Sequence, residues 1–317
     1  MAKIKRIYFT ATFALILLLP ASFAQANRNS EEETTLLRDS IAGIVSEYPA
    51  EIGVAVIIGN RDTVTLNNRS LYPMMSVFKL HQALALCHDL DKKGISLDTL
   101  IRIRRDELDP DTWSPMLREH TEPGFSLPVS GLLRYTLIQS DNNASNIMFE
   151  RLTDTGSTDS FIARLIPRAS FRICCTEAEM KADHKKAYAN FTSPLGAAML
   201  INRLFTDSIV SADKQRFITE TLTECLTGTD RIAAPLLDRK GVVIAHKTGS
   251  GYRDNGILVA HNDVAYIRLP DNTSYSLAVF VKDFKGSEQE ASAAIARISA
   301  AVYSVLTRQN GVRVIPE

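Results

Sequence analysis

Tyr72-Pro-Met-Met-Ser-Val-Phe-Lys-Leu80 is the stretch around which the chain is organised. It opens an apolar run, Val77 to Leu90, with helical spacing. Pro73 suits the approach to a helix start, and Ser76 falls in or just before the first turn. Lys79 lies three residues on, on the same helix face as Ser76. A serine hydroxyl is a poor nucleophile at neutral pH until a neighbouring base takes its proton. Lysine at i+3 can be that base if burial or a nearby cation lowers its pKa. The helix N-terminus adds N–H groups able to stabilise an oxyanion. Ser-x-x-Lys alone is cheap, with roughly one match expected by chance in a chain of this length. Ser211-Ala-Asp-Lys214 is such a match, in a polar stretch without partners. Two further motifs downstream decide the reading.

Ser140-Asp-Asn142 follows a helical segment, and Lys247-Thr-Gly249 ends an apolar strand. Each is rarer by chance than one per chain. Ser140 offers a second hydroxyl to relay a proton, and the Asn142 amide can hold a substrate carbonyl. In isolation the same residues read as a helix-ending Asx turn. Lys247 supplies a fixed charge, Thr248 a hydroxyl, and Gly249 lets a ligand lie against the strand edge. In isolation that motif is a strand ending at a glycine.

The surrounding chain gives the architecture. Segment 32–48 is periodic as a helix, Glu51–Ile58 and Thr63–Leu66 form a hairpin around Asn60-Arg-Asp62, and helices follow at 128–139, 144–152, 161–166, 194–205 and 213–226. Segment 104–123 reads as loop, and 168–192 as a polar, functional loop. After Gly241 the period changes. Strands are expected at 242–247, at 256–260 continued by 264–267, and at 275–281, with a helix over 291–306. The fold class is therefore α+β. It comprises a five-stranded antiparallel sheet from both chain ends carrying the terminal helices, with an inserted all-helical domain. The expected division is 25–70 with 227–317 as the sheet domain and 71–226 as the helical domain, the active site lying between them.

Of the 317 residues, 45% are hydrophobic, and 36 basic residues balance 36 acidic ones. No basic block or aromatic-basic stripe points to nucleic acid. The start is a positive segment, Met1 to Arg6, then an apolar one, Ile7 to Pro20. Small residues at Ser22 and Ala24 then complete a secretory signal peptide over 1–24. A membrane anchor is disfavoured by the short run and its proline. No cysteine adjoins the cleavage site for a lipid anchor. The mature chain is expected in a periplasm or outside the cell, as a monomer. Cys87, Cys174, Cys175 and Cys225 imply no disulfide framework, adjacent cysteines rarely pair, and Cys87 reads as a buried thiol. The six histidines form no His-x-His-x-Asp or His-Glu-x-x-His pattern, which disfavours a hydrolytic zinc site; no metal or cofactor is expected.

Taken in order, the three motifs resemble the penicillin-recognising serine hydrolases. Ser-Asp-Asn as the second element resembles class A β-lactamases. Pro73-Met-Met-Ser-Val-Phe-Lys79, Gln139-Ser-Asp-Asn-Asn-Ala-Ser-Asn146 and Ala245-His-Lys-Thr-Gly249 look most like the CfxA-type cephalosporinases, with the PER type as a neighbouring branch. The resemblance runs from about Glu51 to Phe284. It implies a β-lactam substrate and an acyl-enzyme on Ser76, with Lys79 in the proton network. The N–H groups of Ser76 and Ser250 would form the oxyanion hole. Ser140 would pass a proton to the departing nitrogen. Lys247, Thr248 and Ser250 would hold the substrate carboxylate. Thr227-Gly-Thr-Asp-Arg-Ile232 resembles the segment carrying a carboxylate-binding arginine, so Arg231 is favoured over Arg253. Trp113 stands where the family keeps an aromatic residue at the rim, and is otherwise a packed tryptophan.

The family loop Glu-x-x-Leu-Asn is replaced here by Glu177-Ala-Glu-Met-Lys181. The resemblance carries the deacylation base onto Glu177. Thr176 and Glu179 also read as a helix capping box, and both readings can hold. Lys181 replaces the asparagine that helps position water, and as a nearby cation it would favour ionised Glu177. Cys175 and Asn190 stand where the family often has an Arg–Asp pair across the loop, so a wider, rearranged loop is expected. A D-alanyl-D-alanine peptidase and a β-lactam sensor that acylates and stops share the three motifs; Glu177 argues against both.

Overall fold

The computed structural model describes residues 30–59 and 62–308. Segment 1–24, expected to be a signal peptide, and Asn60 and Arg61 of the expected hairpin turn lie outside the described residues.

Helix α1 (residues 30–46) leads into strands β1 (Glu51–Ile58) and β2 (Asp62–Leu66). A two-residue strand β3 (Tyr72–Pro73) and one 3₁₀ turn (Met75–Val77) precede α2 (Phe78–Lys93). Then come β4 (Leu100–Arg104), α3 (Pro115–Glu119), β5 (Gly124–Pro128), α4 (Val129–Ile138), α5 (Asn142–Arg151) and α6 (Thr155–Ile162). The next stretch holds β6 (Phe171–Arg172), α7 (Glu177–Ala182), β7 (Phe191–Thr192), α8 (Pro194–Thr206) and α9 (Ala212–Thr223). The chain closes with β8 (Val243–Ser250), β9 (Arg253–Asp254), β10 (Ile257–Arg268), β11 (Ser274–Phe284) and α10 (Glu288–Arg308).

The main sheet runs β2-β1-β11-β10-β8, the five expected strands, with the short β9 added beside β10; every pairing in it is antiparallel. Its central strands are apolar on both faces because both faces are covered. On β1, Ile52, Val54 and Val56 face one way, into a core with Leu37 and Ile41 of α1 and Ile295 and Ile298 of α10. Ala55 and Ile57 face the other way, into the core of α2, α4, α5 and α8. The period-2 alternation of a strand divides one apolar run between two cores.

β10 runs unbroken through the polar His261-Asn262-Asp263, because each side chain finds a buried partner. His261 Nε2 meets Ser292 Oγ at 2.8 Å, Asn262 Nδ2 donates to Pro73 O at 2.8 Å, and Asp263 pairs with His246 at 3.1 Å. Helical in bulk, the middle of the chain also carries two small antiparallel sheets that the sequence reading left out, β4-β5 and β3-β7-β6. The first pairs Leu100–Arg104 with Gly124–Pro128, so the loop expected over 104–123 is the tip of a hairpin, with α3 inside it. Helix α2 is buried nearly all round, from Phe78 to Cys87, which is the signature of a core helix. Its N-terminus reaches the edge of β8, and the site forms there.

Candidate active site

Ser76 lies in the 3₁₀ turn ahead of α2. Its predecessor Met75 has φ 46°, and Ser140 has φ 59°. Left-handed backbone at bulky or hydroxyl residues persists only where the surroundings enforce it, and such strain collects at functional sites. Here β8 enforces it. Gly249 packs directly against the turn, and a Cβ there would run into the Met74 carbonyl. The Asn262 amide reaches the Pro73 and Met74 carbonyls from β10, at 2.8 and 3.2 Å.

Lys79, fully buried, is the hub. Its Nζ donates to Ser76 Oγ at 3.1 Å, Ser140 O at 2.8 Å and Asn142 Oδ1 at 2.6 Å, and pairs with Glu177 Oε1 at 2.9 Å. The Ser76 hydroxyl donates to the same Glu177 oxygen at 3.0 Å. On the opposite side Lys247 Nζ donates to Ser140 Oγ at 3.0 Å. Two buried ammonium groups thus bracket one serine hydroxyl. Burial, then repulsion from Lys79, lowers the Lys247 pKa to about 7. The nine site residues from the three motifs and the loop (Ser76, Lys79, Ser140, Asn142, Glu177, Lys247, Thr248, Gly249 and Ser250) therefore converge from α2, the α4–α5 turn, α7 and β8.

They open on a cleft of about 800 Å³ whose lining includes Ser76, Ser140, Asn142, Glu177, Thr248 and Ser250. Arg231 is buried beneath it, donating to Ser250 Oγ at 2.6 Å and to the Asn262 carbonyl at 2.7 Å. Arg253 instead donates to the Gly256 and Gly286 carbonyls and is absent from the cleft lining. Thr227 Oγ1 bonds Thr248 Oγ1 at 2.6 Å, and Gly228, at φ 67°, lets that turn close onto Thr248. Trp113 is 53% exposed, so it is a rim residue and not a packed core one. Its indole donates to Gln139 O at 2.8 Å, and the Arg118 guanidinium lies 4.5 Å over the ring.

Glu177 is the first residue of α7, and the capping box forms beside it: Thr176 Oγ1 accepts from Glu179 N, and Glu179 accepts from Thr176 N. Glu179 caps while Glu177 faces Ser76. Lys181 departs from expectation. Its ammonium pairs with Asp109 at 2.6 Å, and the cation against Glu177 is Lys79. Asn190 does bridge the loop with Cys175, but through the backbone. Fully buried, it accepts from the N–H groups of Cys174 and Cys175 at 2.8 and 3.0 Å and donates to Cys175 O at 2.7 Å.

Three site residues escaped the sequence reading. Buried Asp141 accepts from Ser114 Oγ, Met116 N and Ala144 N, fixing the Ser140 turn; a helix N-cap position was the available signal. His184 and Tyr252 also line the cleft, their rings 4.2 Å apart. Among the described residues no cluster of three or more His, Cys, Asp or Glu is placed to hold a metal, and no helix is long and apolar enough to cross a membrane.

A serine hydroxyl between a buried lysine and a carboxylate, at the junction of an antiparallel sheet and a helical region, defines a class of serine acyl-transferring hydrolases. Comparison with known proteins gives the family. The beta-lactamase enzyme family matches residues 36–306. A beta-lactamase of Phocaeicola vulgatus is 64% identical, covering 93% of this chain and 92% of its own. The extended-spectrum beta-lactamase PER-1 of Pseudomonas aeruginosa is 31% identical, covering 90% and 92%. Among solved structures, the TLA-3 extended-spectrum beta-lactamase superposes with a TM-score of 0.82 at 32% identity, covering 86% of this chain and 99% of that one. A class A beta-lactamase from Bacteroides cellulosilyticus also gives 0.82, at 29% identity. The chain belongs to the beta-lactamase enzyme family, in class A, and is a β-lactam hydrolase.

Proposed function

We propose that the protein is an exported, monomeric β-lactamase that opens cephalosporins in preference to other β-lactams, through an acyl-enzyme on Ser76. The observation that carries the mechanism is the pair of contacts at Ser76 Oγ, to Lys79 Nζ at 3.1 Å and Glu177 Oε1 at 3.0 Å. In acylation the Oγ–carbonyl bond forms as the Ser76 proton passes into the Lys79–Glu177 pair. The ring C–N bond then breaks; Ser140, with Lys247 beside it, delivers its proton to the nitrogen and takes up the Ser76 proton from Lys79, which leaves Glu177 ionised. The N–H groups of Ser76 and Ser250 stabilise the oxyanion. Lys247, Thr248, Ser250 and Arg231 hold the substrate carboxylate, and Asn142 the side-chain amide. Glu177 then takes a proton from water, whose oxygen attacks the ester carbonyl; the ester C–O bond breaks and Glu177 returns the proton to Ser76 Oγ.

The reading of residues 1–24 as a cleaved signal peptide supports export. The division into a sheet domain (25–70 and 227–317) and a helical domain (71–226) puts the cleft at their junction. Cephalosporin preference rests on the resemblance of the three motifs to CfxA-type enzymes. It is supported by the roomy cleft, rimmed by Trp113, Leu226 and Tyr252.

Intact-protein mass spectrometry after mixing with a cephalosporin tests the cycle, with ring opening followed by absorbance. Many turnovers with a transient adduct are expected. Ser76→Ala abolishes both adduct and turnover. Glu177→Gln accumulates the adduct more than it slows acylation; free turnover in that variant would remove Glu177 as the base. A persistent stoichiometric adduct on the native protein would mean a peptidase or sensor. Equal kcat/KM on penicillins would remove the substrate preference.

A further inference from the structure

Two thiols sit side by side, three and two residues ahead of Glu177. Cys174 Sγ and Cys175 Sγ are 3.5 Å apart. Neighbouring side chains on an extended chain point to opposite faces, so adjacency alone does not bring them together. The cause is Asn190. The successive N–H groups of Cys174 and Cys175 converge on its one side-chain oxygen, which bends the chain as in an anion-binding nest and turns both thiols to the same side. Cys174 is partly exposed, whereas Cys175 is buried. The segment leads without a break into the Thr176 cap and Glu177.

We propose that Cys174 and Cys175 form a vicinal-dithiol modification site, closed to a disulfide by exchange with a small external disulfide. Closure shifts Glu177 off Ser76 and stalls the acyl-enzyme. The proposal rests on Glu177 being the deacylation base. In the first step the Cys174 thiolate attacks the external disulfide RSSR, forming Cys174–S–S–R and releasing one RSH. In the second, the Cys175 thiolate attacks Cys174 Sγ, the mixed disulfide breaks and a second RSH leaves. The protein loses two hydrogens and RSSR gains them. The Sγ atoms must close from 3.5 Å to the bond length of about 2.05 Å. The chain between Asn190 and Thr176 has to take up that movement. Burial, then the hydrogen bond to Cys174, pushes the Cys175 thiol up to about 12. Its thiolate is then scarce at neutral pH, on the order of one in 10⁵, but an intramolecular attack with an effective molarity of about 10⁵ M or more offsets this. The second step accelerates as pH rises.

The test treats the whole protein with 4,4′-dithiodipyridine, alkylates with iodoacetamide and maps tryptic peptides. Cleavage after Arg172 and Lys181 isolates Ile173–Lys181, which contains this pair and neither Cys87 nor Cys225. The expected peptide is two hydrogens lighter and unalkylated. Deacylation of the treated enzyme should slow by about a hundredfold, the scale of a 1 Å misplacement of a catalytic group. Dithiothreitol should restore it, and Cys174→Ser should keep full turnover through the treatment. A doubly alkylated peptide, a stable mixed disulfide, unchanged turnover with the disulfide formed, or loss of turnover in Cys174→Ser overturns the proposal. Glu177→Gln separates the two readings. If it accumulates acyl-enzyme and the disulfide form does not, the dithiol coupling alone fails; if it does not, the base assignment fails.

Discussion

At the scale of single residues the site is a contest for few donors. Arg231 divides its guanidinium among Gly249 O, Asn262 O and Ser250 Oγ, and burial lowers its pKa. Such a group is already paid for by its backbone partners, so it can face a substrate carboxylate without rearranging. Arg231→Ala should therefore raise KM for anionic β-lactams by about 10- to 100-fold, the worth of one charge-assisted hydrogen bond. Arg253→Ala should leave KM within about twofold, because its partners are surface carbonyls. Steady-state kinetics on both variants, with melting curves to control for folding, check this; equal effects would contradict the assignment. Ser76 and Lys79 were legible in the sequence because i, i+3 spacing on a helix fixes their relation. Lys181 was not, because its partner Asp109 lies 72 residues earlier and no local rule joins them.

At the scale of elements, the stretch from β6 to β7 carries Glu177, the proposed deacylation base, on a six-residue helix too short to hold itself. The segment leading into it is held instead by buried Asn190, which accepts from two backbone N–H groups and donates to one carbonyl. Asn190→Ala would strand two N–H groups and a carbonyl, at a cost of about 1–3 kcal/mol for each group that stays dry. The stretch should open before the rest of the fold. Hydrogen exchange should show protection lost over 173–182 with β10 and β11 unchanged, and acyl-enzyme should accumulate. Uniform loss of protection would place Asn190 in the global core instead. The missing Arg–Asp pair was visible in the sequence, but not the backbone bonds that stand in its place, since a sequence names side chains and not their conformation. The β4–β5 hairpin went unread for a similar reason. Leu100-Ile-Arg-Ile-Arg104 alternates, but its partner begins at Gly124 and ends at Pro128, which reads as the start of the next helix. The main sheet was legible because its strands are long β-branched runs.

At the scale of the whole molecule, buried titratable groups shape how stability depends on pH. His81 lies in α2 with neither ring nitrogen hydrogen-bonded to a side chain, and burial lowers its pKa to about 4. His261 lies in β10, where burial and then Arg231 lower its pKa to about 3. Both are depressed below the unfolded value near 6.5, so both stay neutral in the fold and take up protons on unfolding. Their contribution is complete above pH 6.5 and is lost as pH falls, at about 3 kcal/mol per histidine by pH 4. His246 has the opposite sign. Burial lowers its pKa, but Asp263 outweighs that and raises it to about 10. Its contribution is complete below pH 6.5 and fades as pH rises toward 10. Stability should therefore rise from pH 4 to 6.5, while above pH 7 the fading His246 contribution is opposed by Lys247, whose depressed pKa of about 7 adds stability as pH rises toward 10.5. Two lost contributions of about 3 kcal/mol each approach the whole stability of an ordinary domain, so unfolding should be well advanced at pH 4. Urea unfolding from pH 4 to 7 checks the acid limb. His81→Leu, which keeps a side chain of similar bulk against Phe171, should remove about half of the acid slope. An acid slope undiminished in that variant would mean that carboxylate protonation, and not the buried histidines, sets the acid limit.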